Sequence, residues 1–129
     1  MKKTFEITPP KGKLGILIPG IGGAVSTSFI AGIEAFKKGL GEPFGSLSQM
    51  GTIRLGKRTS KTSPLIKDLL SLANIEDLEF FGWDIYPENC YRAALKAGVL
   101  EEPLIQQLKD ELESIIPEKA VFNKRYASN

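Results

Sequence analysis

Short unbroken apolar runs and helical apolar stripes take turns along this chain. Leu14-Gly15-Ile16-Leu17-Ile18 is a continuous run of strand length, bounded by Lys13 and Pro19, and reads as a buried strand. Beyond a glycine-rich turn, Val25, Phe29, Ile30, Ile33, Phe36 and Leu40 recur at helical spacing, with Ser26 and Thr27 at the start and Gly39 and Gly41 near the end. Pro43 to Leu55 mixes strand formers with glycine and serine and predicts a second, irregular extended region, followed by the polar loop Gly56 to Thr62. Ser63-Pro64 fits an N-cap and first helical position, with Leu65, Ile66, Leu69 and Leu70 as the apolar face of a short helix. Leu78 to Trp83 predicts the next strand, ending at Asp84, and Pro87 opens a helix with Tyr91, Ala94 and Leu95 on one face and Gly98 at its close. Glu102 to Ile116 is an amphipathic helix striped by Leu104, Leu108, Leu112 and Ile115 and stopped by Pro117, and Ala120-Val121-Phe122 predicts a last short strand.

Strands alternating with helices predict an α/β fold: a Rossmann-like, doubly wound, mostly parallel sheet with helices on both faces. Residues 1–12 form a polar, proline-containing lead and residues 13–129 one domain. The strands are fewer than a full sheet of this kind contains, so the domain is expected to be the amino-terminal part of a larger fold.

Composition narrows the chemistry. With 129 residues, 42% hydrophobic and 25% charged, the chain can bury a real core, which excludes disordered and collagen-like classes. Neither a signal-peptide pattern nor a run of about 18 apolar residues occurs, so a cytoplasmic location without membrane insertion is expected. There is no histidine and one cysteine, Cys90, which removes Ser-His-Asp and Cys-His catalysis and argues against a zinc site. The net charge of +2 is unevenly spread. Arg54, Lys57, Arg58, Lys61 and Lys67 occupy a stretch without acids, while Glu101 to Glu118 carries six acids against Lys109 alone. Without interleaved aromatics the basic tract reads as a solvated loop, and no nucleic-acid partner is expected.

The candidate site is the turn Pro19 to Phe29, PGIGGAVSTSF. A strand, a glycine turn and a helix start form a cradle for a pyrophosphate, because the turn exposes backbone N–H groups and the helix aims its positive dipole end into it. Gly20 and Gly22 fit the spacing G-x-G-x-x-G, but Val25 holds the third position and Gly23 comes two places early. No Gly-Lys-Ser/Thr closes the loop, which disfavours an ATPase. A dinucleotide site needs an acid to accept hydrogen bonds from ribose hydroxyls, at about 20 residues after the turn in the usual pattern. Glu42 has that spacing but lies in a glycine-rich linker, whereas Asp84 follows an apolar run at a predicted strand end. Spacing alone leaves Asp84 equally readable as the cap of the helix near Pro87. An aspartate with no basic neighbour favours NAD over NADP.

LIPGIGGAVST, GTIRLGKR with SPLIKD, FFGWDI and the AALKAGVLE helix together resemble the amino-terminal, nucleotide-binding part of inositol-3-phosphate synthase (myo-inositol-1-phosphate synthase) in its bacterial form, from about Lys13 onward. The resemblance implies an NAD-dependent isomerase that converts glucose 6-phosphate to inositol phosphate by oxidation, enolisation, aldol closure and reduction, in a homo-oligomer, tetrameric in the family. It places Gly22, Gly23, Ala24 and Val25 against the NAD pyrophosphate and adenosine side, with Gly20 in the same turn, Asp84 on the ribose, and Ala120 and Val121 at a strand end touching the cofactor. Where eukaryotic members follow the paired glycines with two asparagines and a glycine, this chain has Ala24-Val25 and a turn one residue shorter. The family's sugar-phosphate and proton-moving residues lie in later chain, so this stretch is expected to bind NAD without turning over substrate. The alternative is a stand-alone, non-catalytic dinucleotide-binding or assembly module with a degenerate Rossmann fold.

Overall fold

The computed structural model describes residues 8–120. Strand β1 (Leu14–Pro19) and strand β2 (Leu78–Asp84) lie side by side in parallel, with Leu14 opposite Leu78 and Pro19 opposite Trp83. A two-residue strand β3 (Glu118–Lys119) pairs in parallel with the end of β2, giving the order β1-β2-β3. The expected α/β architecture and parallel sheet are therefore present, and the sheet is open rather than closed.

One face of the sheet is covered. Helix α1 (Ala24–Lys37) follows β1, and helices α4 (Cys90–Ala97), α5 (Glu102–Gln107) and α6 (Lys109–Ser114) follow β2. Ile21, Ile30, Phe80, Cys90, Ile105, Leu108 and Leu112 form the core between these helices and the strands, with Ile16 and Ile18 packed against it. The inward stripe of α1 differs from the predicted one: Thr27, Ile30, Ala31 and Glu34 are buried, while Val25 is 85% exposed. Thr27 can go inside because its hydroxyl donates to the carbonyl oxygens of Gly23 at 3.0 Å and Ala24 at 3.2 Å, leaving its methyl to pack. Glu34 pairs with Lys37 at 2.8 Å, and the Lys37 ammonium also donates to the Leu78 carbonyl at 2.6 Å, which ties the end of α1 to the start of β2.

Several elements depart from the sequence reading. Pro43 to Leu55 forms no strand of the sheet. It contains the one-turn helix α2 (Leu47–Met50), after which the chain folds back on itself. The Ile53 N–H donates to Pro64 and the Leu55 N–H to Thr62, both at 3.0 Å, around an antiparallel bridge between Thr52 and Leu65. The strand formers there find partners within the segment, so the region projects as a hairpin with Arg54, Lys57, Arg58 and Lys61 along it. Its sequel, α3 (Ile66–Leu69), starts after Leu65 and not at Pro64, whose carbonyl belongs to the hairpin ladder. Helix α4 begins at Cys90, where Asn89 caps the Arg92 N–H at 3.0 Å, so Pro87 precedes the helix instead of opening it. The amphipathic helix from Glu102 is broken at Leu108, whose N–H is shared between Leu104 and Ile105 at 3.2 Å; the kink keeps Ile105, Leu108 and Leu112 on the buried side. The last strand comes two residues early, at Glu118–Lys119, and Val121 and Phe122 lie outside the described residues.

The expected second helical layer is absent among the described residues: Leu17 and Phe81, neighbours on the other face, are 63% and 53% exposed. Gly82, by contrast, is buried on the covered face, where a Cβ would strike the Ile18 carbonyl oxygen and stand 2.9 Å from the Ile21 Cβ. Gly82→Ala is expected to lower the unfolding free energy by about 2 kcal/mol or more through overpacking, while Leu17→Ala on the bare face stays within about 0.5 kcal/mol. Urea titrations of the two variants check this, and equal losses would contradict the packing described.

Candidate nucleotide site at the glycine turn

The turn between β1 and α1 sits over the carboxyl end of β2. Gly20 has φ +78°, a left-handed conformation that glycine adopts without strain and that reverses the chain immediately after β1. Ile21 then dips into the core with no exposed surface, anchoring the turn from below. The Trp83 carbonyl of β2 accepts the Gly20 N–H at 2.7 Å and the Ile21 N–H at 3.3 Å, and the Gly23 N–H donates to Gly20 at 3.0 Å. Gly23 caps α1 with no side chain of its own.

Asp84, the last residue of β2, completes the turn. One carboxylate oxygen accepts the Gly22 N–H at 2.9 Å and the other accepts the Tyr86 N–H at 3.1 Å. A Cβ at Gly22 would stand 3.0 Å from the Asp84 carboxylate oxygen, so the absence of a side chain there permits the contact. The capping alternative weighed from sequence is not what Asp84 does: Asn89 caps α4, and Asp84 bonds to the turn. Glu42, the acid at the usual spacing, lines a groove of about 670 Å³ beside Leu14 and Leu78, at the opposite end of the strands. That groove is predominantly apolar and has no part in the turn.

These bonds change which amides can meet an anion. Gly20, Ile21, Gly22 and Gly23 all spend their N–H groups on the Trp83 carbonyl, the Asp84 carboxylate or the Gly20 carbonyl. Among the described residues the N–H groups of Ala24, Val25 and Ser26, the first turn of α1, have no backbone acceptor. They are the orphan donors at the positive end of a helix of 14 residues. Ser26 and Thr27, expected to offer hydroxyls there, donate them back to the carbonyls of Gly20 and Gly23.

A cleft of about 390 Å³ runs over the strand ends between the turn and Ala120, with Pro19, Trp83, Asp84 and Tyr86 along it. Ala120 donates its N–H to the Asp84 carbonyl at 3.0 Å, which brings it to the same rim. A second recess of about 270 Å³ lies on the α4 side of Asp84, bordered by Ala24, Glu88 and Lys96. Thus Gly20, Gly22, Gly23, Ala24, Asp84 and Ala120 are brought together at one end of the sheet. Val25 is at the helix start but its side chain faces outward, and Val121 is outside the described residues. The basic residues Arg54, Lys57, Arg58, Lys61 and Lys67 border neither cavity at the turn. The described residues contain no group of three His, Cys, Asp or Glu able to hold a metal, and no helix long and apolar enough to cross a membrane.

Sequence reasoning missed Gly82 and the Trp83 carbonyl. A glycine inside an apolar strand is a signal of close backbone approach, and that signal was readable in FFGWD.

Three comparisons with known proteins bear on this site. A family model for an NAD-binding domain, described as myo-inositol-1-phosphate synthase, matches residues 14–129. The inositol-3-phosphate synthase 1 of Bacteroides thetaiotaomicron is 46% identical over 122 residues, covering 95% of this chain and 28% of the relative. The inositol-3-phosphate synthase 1 of Oryza sativa subsp. japonica is 34% identical over 131 residues, covering 92% of this chain and 26% of the relative. The chain therefore spans little more than a quarter of the length of these relatives. The crystal structure of inositol-3-phosphate synthase from Caenorhabditis elegans superposes with a TM-score of 0.70 at 25% identity, covering 88% of this chain and 25% of that one.

Beneath the turn, Cys90 is fully buried, its sulfur 3.9 Å from the Ile21 carbonyl. Burial and, less, the nearby Asp84 charge push its thiol up to about 11 from 9.0. The folded protein thus holds the proton more tightly than the unfolded chain, a stabilisation complete below pH 9 and lost as pH rises to about 11. Thermal unfolding followed from pH 8 to pH 11 is expected to fall less steeply in Cys90→Ala than in the parent protein. Identical slopes would mean that Cys90 ionises freely in the native state.

Proposed function

This chain belongs to the myo-inositol-1-phosphate synthase family, and we propose that its glycine turn, the first turn of α1 and Asp84 hold the NAD of an enzyme that isomerises glucose 6-phosphate to an inositol phosphate. The observation that carries the assignment of residues is the meeting of the Asp84 carboxylate with the Gly22 N–H while the N–H groups of Ala24, Val25 and Ser26 are left without backbone acceptors. Asp84 and Ala24, whose N–H is one of the open amides, border one recess, so an acid and a helix-start donor lie side by side, as a ribose diphosphate requires.

In this reading Gly20 and Gly22 let the backbone pass close to the pyrophosphate, Gly23 leaves the helix start uncovered, and the amides of Ala24 and Val25 donate to the phosphate oxygens. Ala24 and Val25 act through their backbone, so the loss of the polar pair seen in eukaryotic members costs side-chain contacts only. Asp84 keeps lone pairs on both oxygens beyond those engaged by Gly22 and Tyr86, and these accept the ribose hydroxyls. The same carboxylate repels a 2′-phosphate, which favours NAD over NADP. Ala120, and Val121 after it, would border the cofactor at the end of β3. When bound, the nicotinamide supplies hydride removal and return, so the cofactor is regenerated. The residues of this chain bind and orient it. Proton transfers and the grip on the sugar phosphate belong to the larger part of the family's chain, so this segment alone is proposed to be without turnover, in a cytoplasmic homo-oligomeric enzyme.

Thermal unfolding with and without NAD⁺ tests the assignment. A ligand at a hundredfold its Kd adds about 2.7 kcal/mol of stability; NAD⁺ is expected to raise the midpoint, NADP⁺ to do so far less, and Asp84→Ala to remove most of the NAD⁺ effect. An equal response to both dinucleotides, or a response indifferent to Asp84→Ala, would rule the assignment out.

A further inference from the structure

We propose that Glu88 and Lys96, an ion pair on the α4 side of Asp84, act as a charge filter on the dinucleotide: Glu88 neutralises the Lys96 ammonium, which would otherwise accept the 2′-phosphate of NADP. The inference rests on the nucleotide reading of the site and goes beyond it in assigning two further residues to the choice of cofactor.

Three observations carry it. First, the recess of about 270 Å³ that Asp84 shares with Ala24 is also walled by Glu88 and Lys96. A ribose bonded to the Asp84 carboxylate through its 2′-hydroxyl would carry any 2′-phosphate into the surroundings of that carboxylate, and on this side those surroundings include the pair. Second, Lys96 is the one cation among the described residues that line either cavity at the turn. No basic residue stands next to Asp84 in the sequence, but the fold of α4 brings Lys96 to the same recess. Third, that ammonium is already engaged: it lies 3.5 Å from the Glu88 carboxylate and 5.1 Å from the centre of the Tyr86 ring. The Tyr86 N–H in turn donates to Asp84 at 3.1 Å, which links the pair to the acid through one aromatic residue.

The charges then decide the outcome. With Asp84 and Glu88 ionised, the recess sets two carboxylates against one ammonium. A phosphate monoester carries nearly two negative charges at neutral pH and is repelled from such a wall. Without the Glu88 charge, Asp84 and Lys96 balance, and a lysine ammonium is a good point-charge partner for phosphate. NAD carries no 2′-phosphate and is nearly indifferent to the change. The Lys96 and Glu88 side chains are 65% and 38% exposed, so the pair contributes little to folding stability. Its effect falls on the ligand.

Calorimetric titration with NAD⁺ and with NADP⁺ tests the filter on the parent chain, Glu88→Gln, Lys96→Met and the double variant. In Glu88→Gln the affinity for NADP⁺ relative to NAD⁺ is expected to rise about fivefold, the worth of one unit charge at about 4 Å in water. The rise should vanish when Lys96→Met is added, and it should shrink in high salt, because exposed charges are screened. Thermal midpoints without ligand should hardly move in any variant. With NAD⁺ binding intact, an unchanged ratio in Glu88→Gln would make the pair a surface contact only and overturn the proposal. A rise that persists in the double variant would equally overturn it, since Lys96 would then not be the group that receives the phosphate. A parent chain that does not bind NAD⁺ would overturn the nucleotide reading and the filter together, and so is told apart from a failure of the filter alone.

Discussion

The structure depends on how closely the glycine turn can lie on the end of β2. Gly82 has no side chain where the backbone of Ile18 and the side chain of Ile21 pass, so the turn settles onto the strand. At that distance the Trp83 carbonyl reaches the amides of Gly20 and Ile21, and the Asp84 carboxylate reaches the amide of Gly22. Each bond satisfies a donor that would otherwise be stranded near the core, where an unmet N–H costs about 1 to 3 kcal/mol. A charged acceptor strengthens the last of them. The turn is therefore held by a strand that is distant in sequence, and its own amides are engaged, so the N–H groups without backbone acceptors at this end are those of the first turn of α1, whose direction the turn fixes.

The helical layer supports this geometry from one side. Ile21 joins the same cluster as Ile30 of α1, Cys90 of α4 and Leu112 of α6, so a shift of any helix would tilt the turn. At the far end of α1 the Glu34–Lys37 pair, with its bond to the Leu78 carbonyl, clamps the helix to the first residue of β2. Lys37 also lies 5.7 Å from the centre of the Phe80 ring, which meets Phe29 edge-on at 5.5 Å. Helix α1 is thus fixed to β2 at both ends, and the open amides at its start are aimed by packing instead of by a capping side chain.

Sequence periodicity was enough to find β1, α1, β2, α4 and the amphipathic helix, because each carries its apolar pattern over a whole element. It was enough to find the glycine turn and Asp84 as well. What it could not supply was the relation between them. The bond from Gly22 to Asp84 spans 62 residues, and Asp84 alone reads as well as a helix cap. Likewise PFGSLSQMGTIRL has strand-forming residues, but their partners lie a few residues ahead at Thr62, Pro64 and Leu65, a local pairing that hydrophobic pattern does not encode. Thr27 and Glu34 were invisible as core residues because their burial is made tolerable by hydrogen bonds to the backbone and to Lys37.

The distance of Asp84 from the turn in sequence then ceases to be an anomaly. The usual spacing of about 20 residues reflects a short connection from the first helix to the second strand. In this chain residues 38–77 intervene, containing the hairpin, α2 and α3, and they join the core at the end of the sheet away from the turn, beside Leu14 and Leu78. Lengthening a connection raises its closure cost by only about 0.6 kcal/mol per doubling. An insertion at that end is therefore nearly free of consequence for the site, provided β2 still pairs with β1 in register. Pro19 opposite Trp83 is that register, and together with the close approach that Gly82 permits it sets Asp84 beside Gly22. The acid beside the glycine turn is defined by strand adjacency, and counting residues finds it only when the crossover happens to be short.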